Sequence, residues 1–152
     1  KPNDGFSGGK YTAFEAGTRV PTIAHWPAEI EPGTVSDALI SQVDILASLV
    51  DLAGGRLPEG ENLDSENMLP ALLGKTTKGQ DYIVQHSSDG LSLRKGKWKY
   101  IEAGTRSGFA YTRHNRGTQN SMHIEKPDTV EYLFNLDQDP KETNNLAEKN
   151  PE

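Results

Sequence analysis

The stretch Leu91-Ser92-Leu93-Arg94-Lys95-Gly96-Lys97-Trp98-Lys99-Tyr100-Ile101 predicts the architecture of the second half of the chain. Large apolar residues recur at every second position on both sides of a centre that contains glycine, a pattern typical of two β-strands joined as a hairpin. Side chains two positions apart lie on the same face of a strand. We expect the turn of this hairpin at Lys95-Gly96.

Two neighbouring segments extend the hairpin into a sheet. Residues 82–86 and 132–136 are short and rich in apolar residues, as strands are. Residues 82–136 are therefore expected to form an antiparallel sheet. The polar residues 104–126, which include glycines, are expected to cross the surface between two strands.

The first half of the chain has a different period. Residues 43–53 carry apolar side chains at positions 43, 46, 49, 50 and 53, which predicts an amphipathic helix. Residues 68–73 predict a shorter helix, and the apolar run 20–26, bounded by two prolines, predicts a short strand. The chain alone is thus expected to be α+β, with parts 1–75 and 76–152.

Composition excludes several classes of function. The 152 residues carry a formal net charge of −6, which argues against a nucleic-acid partner, because phosphate binding needs a basic face. The chain has no cysteine, and no apolar run approaches the roughly 18 residues of a membrane-spanning helix. Only 34% of the residues are hydrophobic, so we expect a thin core and some apolar surface that faces another domain. The opening residues Lys1-Pro2-Asn3-Asp4-Gly5 are typical of the middle of a longer protein.

Lys10 is the first candidate functional residue. Gly8-Gly9 precedes it, and glycine allows the backbone to approach a ligand closely. A lysine ammonium is a compact charge with three donors, which suits an oxyanion such as sulfate or phosphate. A solvated loop lysine is the simpler interpretation of this local pattern. The segment is not a P-loop, because the wider glycine spacing and the following Ser or Thr are absent.

Glu15 and Arg19 follow Lys10 and lie four positions apart. They can form an ion pair if this segment is helical. Such a pair can support the loop that carries Lys10, or it can be an ordinary structural ion pair. We assign neither residue the role of catalytic acid or base.

The remaining polar candidates have structural alternatives. His25 lies in an apolar run and is expected to pack in the core. His86 ends a predicted strand, where it can line a site or hydrogen-bond within a turn. Asp137 and Asp139 resemble a metal-binding pair, but aspartates before a proline more often cap a turn.

Several of these segments, taken in order, resemble the C-terminal third of sulfatases of the arylsulfatase type, in the alkaline-phosphatase-like superfamily. In that family a Gly-Lys precedes a Glu-Gly-Gly-x-Arg-x-Pro motif, and here Gly9-Lys10 precedes Glu15-Ala16-Gly17-Thr18-Arg19-Val20-Pro21. Ala16 replaces the first glycine of the pair. The resemblance also includes Ile23-Ala24-His25-Trp26-Pro27, residues 44–54 and residues 94–100.

The resemblance implies that the chain ends an α/β sulfatase domain and continues into a small antiparallel subdomain, truncated before a C-terminal helix. It implies that Lys10 contacts the sulfate group of a sulfate ester and that His86 lies on the side of the substrate cleft. An N-terminal sulfatase domain is the implied partner, and a periplasmic or secreted location is suggested.

The same resemblance assigns calcium and formylglycine to the full-length enzyme. This chain has no Cys/Ser-x-Pro-x-Arg motif from which formylglycine is made, so it is expected to hold no cofactor and to be inactive alone. Two other functions stay open at this point. The chain can be a binding or structural module without chemistry, or part of a phosphoester or phosphonate hydrolase of the same superfamily.

Overall fold

The computed structural model describes residues 4–60, 64–87, 90–105 and 129–150. Two compact units are present: Lys1–Pro21 together with Val84–Glu152, and Thr22–Ile83. The division into 1–75 and 76–152 refers to the complete enzyme and stays a prediction.

In the part of the chain that the structure describes, the sheet has four strands in the order β1-β2-β3-β4, which are Tyr82–His86, Leu91–Lys95, Trp98–Ile101 and Tyr132–Asn135. The pairs β2–β3 and β3–β4 are antiparallel, so the expected antiparallel sheet is confirmed. Lys95 pairs with Trp98, and the turn therefore consists of Gly96-Lys97. The turn expected at Lys95-Gly96 was one residue too early, because Lys95 still belongs to the strand.

The core of the larger unit joins the two ends of the chain. Phe14, near the N-terminus, packs edge-on against Tyr132 with the ring centroids 5.4 Å apart, and also against Phe134 at 6.1 Å. Ile101 of β3 lies on the same covered face of the sheet, opposite Tyr132. The other face is more open, and Trp98 there is 37% exposed. One covered face and one open face are common in antiparallel sheets.

Among the described residues, three helices precede the sheet: α1 at Glu15–Thr18, α2 at Asp44–Leu52 and α3 at Leu69–Leu72. A short 3-10 helix at Ala147–Lys149 follows it. Both helices expected in the first half are therefore confirmed. None of the helices within the described residues has the length and apolar character needed to cross a lipid bilayer.

Helix α2 buries its polar side and exposes its apolar side. Asp44 and Ser48 are almost fully buried, and the Ser48 hydroxyl accepts a hydrogen bond from Met68 N at 2.9 Å. By contrast, Leu46 and Leu49 are each more than half exposed. An apolar surface of this kind marks a site of contact with another protein surface.

The strand expected at residues 20–26 is wrong. These residues have no regular structure, and Ile23 is 93% exposed. His25 is exposed as well, so its expected place in the core is also wrong. A strand needs a neighbour for its N–H and C=O groups, and none of the four strands in the described part of the chain pairs with this segment.

Candidate functional site

Residues 8–12, here called the Lys10 turn, are held together by hydrogen bonds between buried Thr12 and Gly9. Thr12 N donates to Gly9 O at 3.0 Å, and the Thr12 hydroxyl donates to the same oxygen at 2.9 Å. The hydroxyl also accepts a hydrogen bond from Gly9 N at 3.1 Å. Lys10 lies at the exposed part of this turn, with its Nζ 4.8 Å from the centre of the Tyr11 ring. The turn thus holds a lysine in an accessible position on a well-bonded backbone.

The backbone of the Lys10 turn contains an unusual conformation. Tyr11 has a φ of 76°, in the left-handed region that bulky residues rarely adopt. Such a residue costs on the order of 1–3 kcal/mol and persists only where its surroundings determine it. Residues of this kind cluster at active sites and ligand contacts, which favours a functional role for the turn over that of an ordinary surface loop.

Helix α1 packs directly on the Lys10 turn. Ala16 N donates to Ser7 O at 3.0 Å, just before the turn. A Cβ atom on Gly17 would overlap the carbonyl oxygens of Thr12 and Gly9. Gly17 therefore permits a close approach that any larger residue would prevent. Ala16, which replaces the first glycine of the family motif, is only half-buried.

A buried lysine from β3 joins two acidic side chains beside the turn. Lys99 is fully buried, and its Nζ lies 2.9 Å from Glu15 Oε1 and 3.2 Å from Glu142 Oε1. The same ammonium donates a hydrogen bond to Thr18 Oγ1 at 3.0 Å. We call Lys99, Glu15 and Glu142 the Lys99 cluster.

The ion pair expected between Glu15 and Arg19 is present. Arg19 Nε donates to Glu15 Oε2 at 2.8 Å. Glu15 is the first residue of α1, and Arg19 directly follows its last residue. The Arg19 guanidinium also lies 5.1 Å from the centre of the Phe6 ring. Glu15 is buried whereas Arg19 is 46% exposed. The positive charge of Arg19 therefore adds to that of Lys99 in balancing the two buried carboxylates. Their role in supporting Lys10 stays a prediction.

The two carboxylates of the Lys99 cluster have opposite pKa shifts. Burial raises the pKa of Glu142 to about 7, against the attraction of Lys99 and the backbone hydrogen bond from Glu15. Burial also disfavours ionisation of Glu15, but the attraction of Lys99 and the hydrogen bonds from Arg19 and Lys99 outweigh it and lower the pKa of Glu15. The cluster thus carries an ionised Glu15 and a Glu142 that titrates near neutral pH.

This arrangement predicts a pH-dependent stability. Because the pKa of Glu142 is raised in the folded state, protonated Glu142 contributes to the free energy of unfolding. This contribution is largest below the pKa of Glu142 in the unfolded state and is lost as the pH rises through about 7. The free energy of unfolding of the 152-residue chain should fall by up to about 3 kcal/mol between about pH 5 and pH 8. Urea unfolding at a series of pH values measures it.

The control for this prediction is Glu142→Gln, which is neutral at every pH. It should unfold with nearly the same free energy as the wild type at about pH 5, and with a larger one at about pH 8. This variant retains Lys99 and Glu15 of the cluster, and also Arg19, which pairs with Glu15. If the free energy of unfolding changed with pH in the same way in both proteins, its pH dependence could not be assigned to Glu142.

The other candidates lie apart from the Lys10 turn or have structural roles. His86 is exposed at the end of β1, and no hydrogen bond or ion pair joins it to Lys10 among the described residues. The Asp139 carboxylate accepts hydrogen bonds from Thr143 N at 2.7 Å and Asn144 N at 2.8 Å. This confirms that Asp139 caps a turn.

Comparison with known proteins identifies the family of this chain. The family model for N-sulphoglucosamine sulphohydrolase, C-terminal, matches residues 8–87, from the Lys10 turn to the end of β1. The chain belongs to this family. It is therefore a C-terminal part of a sulfatase, as its sequence motifs indicated.

The relatives are sulfatases of bacteria and mammals. An N-acetylgalactosamine-6-O-sulfatase of Bacteroides thetaiotaomicron is 42% identical over 149 residues, which is 97% of this chain and 27% of that protein. Arylsulfatase G of Rattus norvegicus is 28% identical over 150 residues, which is 99% of this chain and 28% of that protein.

A solved structure has the same fold over almost the whole chain. It comes from work on glycosaminoglycan metabolism by Bacteroides thetaiotaomicron and matches with a TM-score of 0.81 at 39% identity. The match covers 99% of this chain and 30% of that one. The chain thus spans between about a quarter and a third of the length of these proteins.

The described residues of this sulfatase C-terminal part do not fit the metal site of the family, and its sequence does not fit the formylglycine motif. Within the described residues, no three His, Cys, Asp or Glu side chains are grouped so as to hold a metal ion. The sequence has no cysteine and no Ser-x-Pro-x-Arg motif, so it offers no precursor of formylglycine.

Sequence reasoning missed Lys99 and Glu142. For Lys99 a signal was available, because strand alternation places it on the same face as Ile101, the face that is buried. A lysine at an inward position needs a partner of opposite charge. Glu142 gave no such signal, because its turn is rich in polar residues and only the three-dimensional structure brings it to Glu15.

Proposed function

We propose that this chain is the part of a sulfate ester hydrolase that supplies Lys10 as a contact to the sulfate group and forms one wall of the substrate cleft. The observation that carries the proposal is the Lys10 turn itself. An exposed lysine lies on a backbone closed by Thr12 and strained at Tyr11, and a buried ion cluster supports the segment that follows.

The chemistry of a sulfate ester suits such a lysine. The sulfate group carries a negative charge on oxygens that accept hydrogen bonds, and charge develops on the leaving oxygen as the S–O bond breaks. An ammonium held in place donates hydrogen bonds to these oxygens without reorganising during the reaction. Lys10 thus binds the sulfate and assists departure of the leaving oxygen.

The remaining parts of the reaction belong to the rest of the complete enzyme. There, calcium binds the sulfate oxygens and formylglycine is the nucleophile. An N-terminal sulfatase domain carries both. The exposed apolar side of α2 supports such a neighbour, because a folded enzyme normally covers a surface of that kind.

The substrate class that the similarities favour is a sulfated sugar. The relative with 42% identity is named for a sulfate on N-acetylgalactosamine. His86 is the second candidate contact in this chain, because it is exposed at the end of a strand, where loops often line binding sites. Its imidazole can hydrogen-bond a sugar hydroxyl.

Sulfate release by the complete enzyme tests the proposal. We expect turnover of sulfated N-acetylgalactosamine or of 4-nitrophenyl sulfate, and much slower turnover of the matching phosphate esters. The purified 152-residue chain should release no sulfate above a blank, because its sequence has no Cys/Ser-x-Pro-x-Arg motif and its described residues form no group that could hold a metal ion. A complete enzyme that prefers the phosphate ester, or that turns over neither, would contradict the proposal.

A further inference from the structure

Glu142 is a buried charged residue that the proposed sulfate chemistry does not use. Its side chain is fully buried, and its backbone has a φ of 55°, in the left-handed region. Burial of a carboxylate and a left-handed backbone are both unfavourable by themselves. Its Oε1, although 3.2 Å from Lys99 Nζ, makes no hydrogen bond among the described residues. Other contacts must therefore hold Glu142 in this position.

These contacts lie on both sides of the Lys10 turn. Glu142 Oε2 accepts a hydrogen bond from Glu15 N at 2.7 Å, after the turn. The carbonyl oxygen of the preceding residue, Lys141, accepts a hydrogen bond from Ser7 Oγ at 2.6 Å, before the turn. Both bonds join segments more than a hundred residues apart in sequence. The C-terminal segment thus bonds to the chain on both sides of the Lys10 turn.

The C-terminal segment is itself well held. Asp139 accepts three hydrogen bonds from the residues that follow Glu142, namely from Thr143 N, Thr143 Oγ1 and Asn144 N. Asn145 Oδ1 accepts a hydrogen bond from Leu133 N at 3.0 Å, which ties the segment to β4. The segment that carries Glu142 is therefore tied to the sheet through β4.

We propose that Glu142 is a positioning residue for Lys10, because its carboxylate fixes the first residue of α1 and so the turn that presents the lysine. The proposal rests on the function of Lys10 proposed above. Loss of this contact frees the end of the Lys10 turn and displaces the ammonium from the sulfate oxygens. A misplacement of about 1 Å can cost about a hundredfold in rate.

The test is a double-mutant cycle in the complete enzyme, with the variants Lys10→Ala, Glu142→Ala and both together. Values of kcat/KM are compared at a temperature where circular dichroism shows each variant to be folded. We expect Glu142→Ala to lower kcat/KM by about ten- to hundredfold. In the Lys10→Ala background the same change should cost less than about threefold, because the group that Glu142 positions is already absent.

The matched variant is Glu142→Gln, whose amide oxygen can still accept the hydrogen bond from Glu15 N. The kcat/KM of Glu142→Gln should lie within about threefold of the wild-type value, a difference of less than about 1 kcal/mol. A role in stability alone would not produce this pattern. In that case the effect of Glu142→Ala on kcat/KM of the folded enzyme would be the same with and without Lys10. Glu142→Asp, which withdraws the carboxylate by one methylene, takes the place of Glu142→Ala if that variant does not fold.

The outcomes separate this proposal from the proposed function. If Lys10→Ala lowers kcat/KM strongly but Glu142→Ala costs the same factor with and without Lys10, the positioning role is overturned and the function of Lys10 stands. If Lys10→Ala leaves kcat/KM unchanged, the function of Lys10 is overturned, and the positioning role falls with it.

Discussion

Replacement of Lys10 by alanine in the complete enzyme is expected to lower kcat/KM by about a hundred- to thousandfold. Removal of one preorganised donor to a developing oxyanion typically costs about 2.7–4 kcal/mol. The backbone that carries Lys10 is held in place, because Thr12 closes its turn with three hydrogen bonds and α1 packs against it through Gly17. The free energy of unfolding should hardly change, since the lysine side chain is exposed.

The measurement is steady-state kinetics with a sulfate ester, with thermal unfolding of each variant in parallel. Lys78→Ala is the matched control, because Lys78 is also an exposed loop lysine but lies outside the family motif. It should behave as the wild type in both experiments. Arg19→Ala should lower stability, since it removes the exposed partner of buried Glu15. A Lys10→Ala enzyme within about threefold of the wild type, a difference under about 1 kcal/mol, would count against a sulfate contact.

The hairpin and the longest helix could be predicted from local patterns. The alternation across Leu91–Lys95 and Trp98–Ile101 predicted the hairpin, and the spacing in Asp44–Leu52 predicted α2. The side of α2 that is covered could not be predicted in the same way. A hydrophobic stripe normally faces the core, whereas Asp44 and Ser48 are the buried residues here. Among the described residues, the apolar side of α2 is left uncovered, with Leu46 and Leu49 each more than half exposed.

The candidate site was predicted only in part. Lys10, Glu15 and Arg19 came from one continuous motif, and the ion pair between the last two needed only helical spacing. Lys99 and Glu142 reach the same place from distant parts of the sequence, and Lys99 lies 84 residues from Glu15. Local spacing carries no information about such a contact, which depends on how β3 and the C-terminal segment pack on the N-terminal segment.

Replacement of Lys99 by methionine is expected to have the largest effect on stability. Methionine has a similar length and no charge, so the change removes the cation and little volume. It leaves the carboxylates of Glu15 and Glu142 buried without the ammonium between them. Removal of one partner from a buried ion pair typically costs about 3–5 kcal/mol. This is a large fraction of the total stability of a domain of this size.

The loss should depend on pH, because Glu142 can relieve part of it by taking up a proton. Burial already raises the pKa of Glu142 to about 7, and loss of Lys99 raises this pKa further. The difference between Lys99→Met and the wild type should therefore be smaller at about pH 5, where Glu142 is protonated in both proteins, than at about pH 8. Urea unfolding of the 152-residue chain followed by circular dichroism measures both values.

Two further variants identify the cause of this loss. Lys95→Met removes an exposed lysine from the same hairpin and should change the free energy of unfolding by less than about 0.5 kcal/mol. Lys99→Met combined with Glu142→Gln should recover part of the loss at pH 8, because the second change removes the carboxylate that has no other charged partner. Glu15 keeps Arg19 in this double variant. If Lys99→Met is as mild as Lys95→Met, or if Glu142→Gln restores nothing, the stability of this unit does not depend on balanced charge in the Lys99 cluster.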